Sequence, residues 1–311
     1  MGAQRMIHPR LLGPLMLAPS AEARHAQHLS AASGMVVAGN FLYVIADDAL
    51  HLGVFDTRGR GEGGLVRIVP GELPDDPVLR KAAKPDLEAL VRLPPFEGCQ
   101  HGALLTLASG SRPNRRNGVV LALDQGDRLA GPVFQLDLSP FYIPLETSFP
   151  GLNMEGAVVV GSELVLLQRA SAMHPLSALV YLPLGEVSRW MNSTATVTSM
   201  PARTCIVELG MIEGTPLGFT DGAALEDGRI VFSAVAEDAV DAYLDGPCMG
   251  AVIGIIGTDG QVEAMHRLEP AHKVEGLHAT IQGDTIRLLM VTDADDARVA
   301  GKLLCAEIPA H

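Results

Sequence analysis

Short apolar runs, each closed by a Gly- or Asp-containing turn, follow one another along the chain and predict β-strands rather than helices. Five of them open on a similar polar step: Ser33-Gly34-Met35-Val36-Val37, Leu87-Glu88-Ala89-Leu90-Val91, Met154-Glu155-Gly156-Ala157-Val158, Thr220-Asp221-Gly222-Ala223-Ala224 and Val274-Glu275-Gly276-Leu277-His278. They recur about every 60 residues, and self-similarity at a fixed period marks a repeat architecture. A second apolar run follows each after a turn, as in Phe41 to Ile45 and Glu163 to Leu167. Third runs are Leu52 to Phe55, Gly118 to Leu123, Ala178 to Leu182, Gly250 to Ile256 and Lys302 to Ala306. Fourth runs are Leu65 to Val69, Val133 to Leu138, Ile206 to Leu209 and Val262 to Leu268. The last block lacks a fourth run, whereas Leu11 to Ala18 has no block of its own and is free to pair there. Repeated four-stranded units predict an all-β fold, a five-bladed β-propeller closed by an N-terminal strand. The blades fall near residues 30–72, 85–140, 152–212, 218–269 and 272–308 plus 10–19, as a single domain over 1–311. Helical signals occur only at Asp76 to Lys84 and Ala236 to Tyr243, in connections, which excludes folds of alternating strands and helices.

Composition sharpens the picture. Of the 311 residues 48% are hydrophobic and 19% charged, enough to bury a large core. The net charge of −13 repels a phosphate backbone, so no nucleic acid partner is expected. No apolar run approaches the roughly 18 to 20 residues of a membrane span, so no membrane partner is expected either. Cys99, Cys205, Cys248 and Cys305 are scattered and predict free thiols. Arg5 and Arg10 before Leu11 to Ala18, with Ala21-Glu22-Ala23 beyond, have the outline of a secretory leader. Use of that stretch as a strand competes with this reading. The expectation is cytoplasmic, with a periplasmic or secreted location as the alternative.

The first strand of every propeller blade lines the axis, so the repeated step places Ser33, Glu88, Glu155, Asp221 with Thr220 beside it, and Glu275 on one ring. Carboxyls pressed together in a partly dry channel cannot all stay ionised unaided. Protons or a hard divalent cation must neutralise them, and Ca²⁺ fits best because it accepts six to eight oxygens in flexible geometry. Neither Cys nor a paired His belongs to the ring, which argues against zinc or copper. The competing reading is that acids at blade starts bond backbone amides of the neighbouring blade.

These residues resemble the calcium-activated nucleotidases, or apyrases. The order Ser33, Glu88, Glu155, Thr220 or Asp221, Glu275 is similar to that family's ligand order of Ser, Glu, Glu, Ser, Glu, one from each blade. Leu42-Tyr43-Val44-Ile45-Ala46-Asp47-Asp48 resembles the family segment ending in Asp-Asp, and Gln168-Arg169-Ala170-Ser171 its Arg-Arg-Ala-Ser. Gly218-Phe219-Thr220 is similar to Gly-Phe-Ser, and Lys273-Val274-Glu275-Gly276-Leu277 to Lys-Tyr-Glu-Gly-Ile. The resemblance implies a five-bladed propeller with a central Ca²⁺ and nucleotide hydrolysis. The chain departs from it at Ala49 and Gln168, where the family has Arg, and in the longer insert Ser109 to Gly118. Acid-Gly blade starts are similar, too, to uncharacterised bacterial propellers of the phytase-type esterase-like kind.

Second strands run back toward the ring face, so their ends gather further chemistry there. Asp47 or Asp48 is the expected general base. Ser111, Arg112, Arg115, Gln168, Arg169 and Glu237 are the expected substrate contacts. Arg112, Arg115, Arg116 and Arg169 would form a positive island suited to a small phosphate-containing anion. The function this predicts is Ca²⁺-dependent hydrolysis of a phosphoanhydride or phosphoester. The alternative is a non-catalytic propeller with a structural cation that binds a metabolite or protein partner. Gly59 to Gly64 matches a dinucleotide fingerprint but leads into a strand rather than a helix, and is read as a hairpin loop.

Overall fold

The structure is a computed structural model that describes residues 5–20, 26–58, 61–170, 175–192, 202–237 and 248–310. Five antiparallel sheets succeed one another as blades of a propeller. Blade 1 is built from Ala32–Ala38, Phe41–Ala46, His51–Asp56 and Gly64–Arg67, and blade 2 from Leu87–Leu93, Ala103–Ala108, Asn117–Leu123 and Leu129–Asp137. Blade 3 holds Met154–Val160, Glu163–Gln168, Ser177–Pro183 and Arg203–Val207. Blade 4 holds Thr215–Ala224, Ile230–Glu237, Cys248–Ile256 and Val262–Leu268. Blade 5 holds Val274–Gln282, Thr285–Thr292 and Lys302–Pro309, with Arg10–Pro14 as its outer strand. Each first strand packs against the first strand of the next blade, and the fifth returns to the first.

The core lies between blades. Second strands such as Phe41–Ala46 are almost wholly buried because both sheet faces are covered, which is why they read as continuous apolar runs. Between blades 3 and 4, Phe219 meets Phe232 edge to face at 5.2 Å, beside Val158 and Leu167. The four cysteines are free thiols.

Three α-helices occur among the described residues, all in or after connections. Pro77–Ala83 starts where its sequence says, with Asp76 accepting the Leu79 amide at 2.9 Å. Ser139–Ser148 and Leu184–Asn192 were not foreseen. The expected helix from Ala236 is corrected: Ala236 and Glu237 end a strand, because blade 4 has a longer central hairpin, and Asp238 to Tyr243 lie outside the described residues.

Arg10–Pro14 pairs antiparallel with Lys302–Pro309, while Leu15 and Leu17 are buried against blades 1 and 5. Met6–Ile7 adds in parallel to the outer strand of blade 4. The N-terminal stretch is thus a working part of two blades; Ala21-Glu22-Ala23 lie outside the described residues. Among the described residues no helix is long and apolar enough to cross a membrane. Deleting residues 5–18 removes two buried leucines, roughly 1.5–3 kcal/mol each, and bares the edge of Lys302–Pro309. Set against a total of about 5–15 kcal/mol, this should lower the melting temperature and promote aggregation relative to the intact chain. Gel filtration showing a monomer with an unchanged melting temperature would refute it.

Candidate metal centre

Each inner strand carries the same irregularity. Ala32 pairs with Ala46 and Gly34 with Ile45, leaving Ser33 as an extra residue in a bulge. The same slip isolates Glu88 between Leu87 and Ala89, Glu155 between Met154 and Gly156, and Glu275 between Val274 and Gly276. In blade 4 it falls between Phe219 and Asp221, so the extra residue is Thr220. Bulges re-aim a side chain, and five at one level build one ring: Ser33, Glu88, Glu155, Thr220 and Glu275.

Asp221 is therefore one position off the ring, a correction to the expected set. Its column elsewhere reads Gly34, Ala89, Gly156 and Gly276, because the next blade passes too close for a larger side chain. A Cβ on Gly34 would stand 3.2 Å from the Leu90 amide nitrogen, and one on Gly276 3.0 Å from that of Met35. Asp221 turns toward the next blade instead, and its Oδ2 accepts the Leu277 amide at 2.7 Å. This is the amide-bonding role that competed with the ring reading. Burial pushes its carboxyl well above the usual range.

The hydroxyl members stitch blades together. Ser33 donates to the Leu87 carbonyl at 2.6 Å, and Thr220 donates to the Val274 carbonyl. The carboxylate members converge: Glu88, Glu155 and Glu275 each bring one oxygen within 4.8 Å of the others. Burial raises the Glu88 carboxyl well above its ordinary value, and neighbouring Asp86, Asp47 and Glu155 add to it. Burial likewise raises Glu275, against the pull of Lys273, and Glu155, against that of Arg169 and Lys273. Glu275 Oε1 is buried without a hydrogen-bond partner.

Around this triad runs a belt of ion pairs. Lys84 touches Asp47 and lies 2.9 Å from Asp86. Arg115 donates to Asp86 at 2.8 Å. Arg169 reaches Glu237 at 2.6 Å and Glu155 at 3.4 Å. Lys273 lies 3.4 Å from Glu237, 3.6 Å from Glu275 and 3.8 Å from Asp293. Asp295 is nearer still to Lys273, at 2.8 Å, so eight carboxyls, those of Asp47, Asp86, Glu88, Glu155, Glu237, Glu275, Asp293 and Asp295, share four cations. The imbalance is negative, and the gathered donors are all oxygen, the donor set of a hard cation. Two ligand oxygens on one Ca²⁺ lie up to about 5 Å apart, so the triad fits that ion's reach.

The other expected contacts are placed differently from one another. Arg115, Arg116 and Arg169 do not form a bare positive island, since each is spent on a carboxylate, Arg116 on Glu146. Burying a guanidinium without such a partner would cost several kcal/mol. Arg112 is exposed on the insert. Ser111 Oγ stands 2.8 Å from Ser109 Oγ, which donates to Asp86. Gln168 is wholly buried; its Oε1 accepts the Asn153 amide at 2.9 Å, and Asn153 in turn donates to Glu155, so Gln168 positions a ring residue at second hand. Asp47 faces Glu88 of the triad, whereas Asp48, next to it in the turn that closes Phe41–Ala46, lines a cleft of about 560 Å³ beside Arg80. Ser171 and Asp238 lie outside the described residues.

Sequence reasoning marks Asp293 at the ring face but does not single out Lys84, Asp86, Asn153 or Lys273 as site residues. Three of them, Asp86, Asn153 and Lys273, stand two residues before a ring member, each at the residue that leads into the inner strand. Blade 4 has Gly218 at that place, where a Cβ would stand 2.7 Å from the Arg169 Cγ, so the glycine makes way for that side chain.

The model of a family described as a family of unknown function (DUF6929) matches residues 28–308. No curated protein matches the chain. Among solved structures, the glutaminyl cyclase of Myxococcus xanthus is similar at 10% identity and a TM-score of 0.49, over 98% of this chain and all of that one. A luciferin-regenerating enzyme is similar at 7% identity and a TM-score of 0.41, over 93% of this chain and 94% of that one. The propeller domain of Cps50 (Swd1) from Myceliophteria thermophila is similar at 12% identity and a TM-score of 0.36, over 88% and 71%.

Proposed function

This chain belongs to that family of unknown function, and we propose that its propeller binds one divalent cation at the axis, calcium by the chemistry of the donors, and presents a small phosphate-containing anion to it for hydrolysis. The convergence of Glu88, Glu155 and Glu275, with Glu275 Oε1 buried and without a hydrogen-bond partner, supports the cation. The resemblance of the ring order to calcium-activated nucleotidases supports the same ion and a phosphoanhydride or phosphoester. Such an ion, when bound, polarises a phosphoryl oxygen and offsets charge that develops on it.

The chain's own residues supply the rest. Ser33 and Thr220 offer hydroxyl oxygens at the remaining ring positions. Arg169 and Lys273 neutralise Glu155, Glu237 and Glu275 in the metal-free protein; once those carboxylates serve a cation, both side chains can turn to the oxygens of an anion. Asp47, beside Glu88, and Asp293, which burial lifts to about 7, are the carboxyls suited to taking a proton from water. Asp48, turned toward the cleft, has no part in this scheme.

A second reading, a structural cation without turnover, is favoured by the ion pairs that already engage Arg115, Arg116 and Arg169. The two separate in one experiment. Phosphate release from nucleotides and phytate is measured with calcium, for the wild type and Asp47→Ala. Hydrolysis predicts a loss of at least ~100-fold in the variant, the lower range for a general base, with calcium-dependent thermal stability retained. No release from any substrate by a protein that calcium stabilises would leave the structural reading standing.

A further inference from the structure

A second trio of carboxylates adjoins the axial one. Asp47, Asp86 and Glu88 each bring an oxygen within 4.8 Å of the others, and Glu88 belongs to both groups. A bridging carboxylate between two oxygen-lined sites is the plan of a two-metal centre, whose ions stand about 3.5–4 Å apart. Here the second position already holds a cation, because the Lys84 ammonium touches Asp47 and lies 2.9 Å from Asp86.

The backbone fixes it there. Lys84 caps the C-terminal end of Pro77–Ala83, its amide bonded to the Arg80 carbonyl at 2.8 Å, and Pro85 follows. Asp86 adopts a positive φ of 59°, tolerated by Asp, with its amide on the Asp47 carbonyl and its own carbonyl taking the Ser109 amide. Ser109 and Arg115 hold its carboxyl from the far side. Both the ammonium and its acceptors are therefore preset. Burial works against the charge on Lys84, but Asp47, Asp86 and Glu88 together keep it protonated.

We infer that Lys84 is a tethered cation occupying the second half of a two-cation centre, so that the chain takes up one divalent ion where its carboxylates would otherwise hold two. This rests on the axial cation proposed above. The axis then presents two positive centres bridged by Glu88, one exchangeable and one covalently fixed.

Manganese serves as the probe, in equilibrium dialysis and electron paramagnetic resonance on the full chain. The wild type should bind one Mn²⁺ with an uncoupled six-line signal. Lys84→Met should bind two, with an exchange-coupled signal, and Lys84→Met combined with Asp47→Asn should return to one. Should Lys84→Met fold only with Mn²⁺ present, the ion has replaced the ammonium, which also supports the inference. A wild type that binds none overturns the axial reading itself. A wild type that binds one alongside a Lys84→Met variant that also binds one overturns this inference alone. So does a variant that stays unfolded in excess Mn²⁺ while the charge-balanced double variant folds, and so does a wild type that binds two.

Discussion

Calcium should raise the melting temperature of the purified chain by about 4–5 °C when it is a hundredfold above its dissociation constant. Such an excess stabilises the folded state by about 2.7 kcal/mol, and a domain of this size converts a kilocalorie into about 2 °C or slightly less. The reason lies in what the axis must tolerate without the ion: Glu88, Glu155 and Glu275 meet, and the cations opposing them, Lys84, Arg169 and Lys273, are shared with Asp47, Asp86, Glu237, Asp293 and Asp295. Magnesium should stabilise less, because it dehydrates reluctantly and demands near-ideal octahedral geometry. Glu155→Gln should abolish the calcium increment by removing a charged donor from the ring. Asp221→Asn is the informative contrast. It lowers stability by weakening the acceptor of the Leu277 amide, yet it should leave the calcium increment intact, because Asp221 belongs to neither carboxylate group. Thermal melts with chelator, calcium and magnesium decide the matter, and an unchanged wild-type melting temperature in calcium would remove the cation from the axis.

The blades were legible because a propeller repeats its hydrophobic pattern, and burial on both faces gives second strands such as Glu163–Gln168 an unbroken apolar run. The helix Ser139–Ser148 was not legible. Pro144 argues locally against it, and it forms because Phe141, Tyr142 and Leu145 find buried places, with the Tyr142 hydroxyl on the Ala108 carbonyl at 2.7 Å. Tertiary packing overrode propensity there.

Ring membership was legible to within one residue, and that residue matters. In a strand a one-residue slip exchanges faces, and nothing in the alternation of Thr215–Ala224 announces where its bulge falls. The signal that was available is the small residue after each ring member, Gly34, Ala89, Gly156 and Gly276. In blade 4 that signal misleads, because Gly222 follows Asp221 and points to Asp221 as the ring member, whereas the bulge puts Thr220 in the ring and Asp221 in the crowded position. The belt of ion pairs was less accessible. Arg115 and Arg169 look like ligands for an outside anion when cations alone are counted, but each is buried and must bring its counter-charge from a distant blade or loop. Pairings such as Arg169 with Glu237, separated by 68 positions, exist only once the ring has closed.

With chelator present, stability should fall as pH rises from about 4 to 8, the reverse of the usual acid-side loss. Asp293 sets the sign. Its folded value, lifted by burial from 3.8 to about 7, exceeds its unfolded one, so between those limits the native state holds a proton that the unfolded chain has released. Stability then declines with increasing pH through that window and levels off above it. Three units correspond to an upper bound of about 4 kcal/mol, and Glu88, Glu155, Glu275 and Asp47, all raised first by burial, act in the same direction. Lys84 and Lys273 do not counter the trend, since their neighbours hold both protonated throughout the range. Calcium supplies at neutral pH the positive charge that protons supply in acid. Melting temperatures measured from pH 5 to 8 should therefore diverge with and without the ion, by the most at the alkaline end. A chelated protein whose melting temperature climbs steadily over that range would mean that the axial carboxyls are ionised and satisfied by the chain's own cations, leaving no charge for a metal to balance.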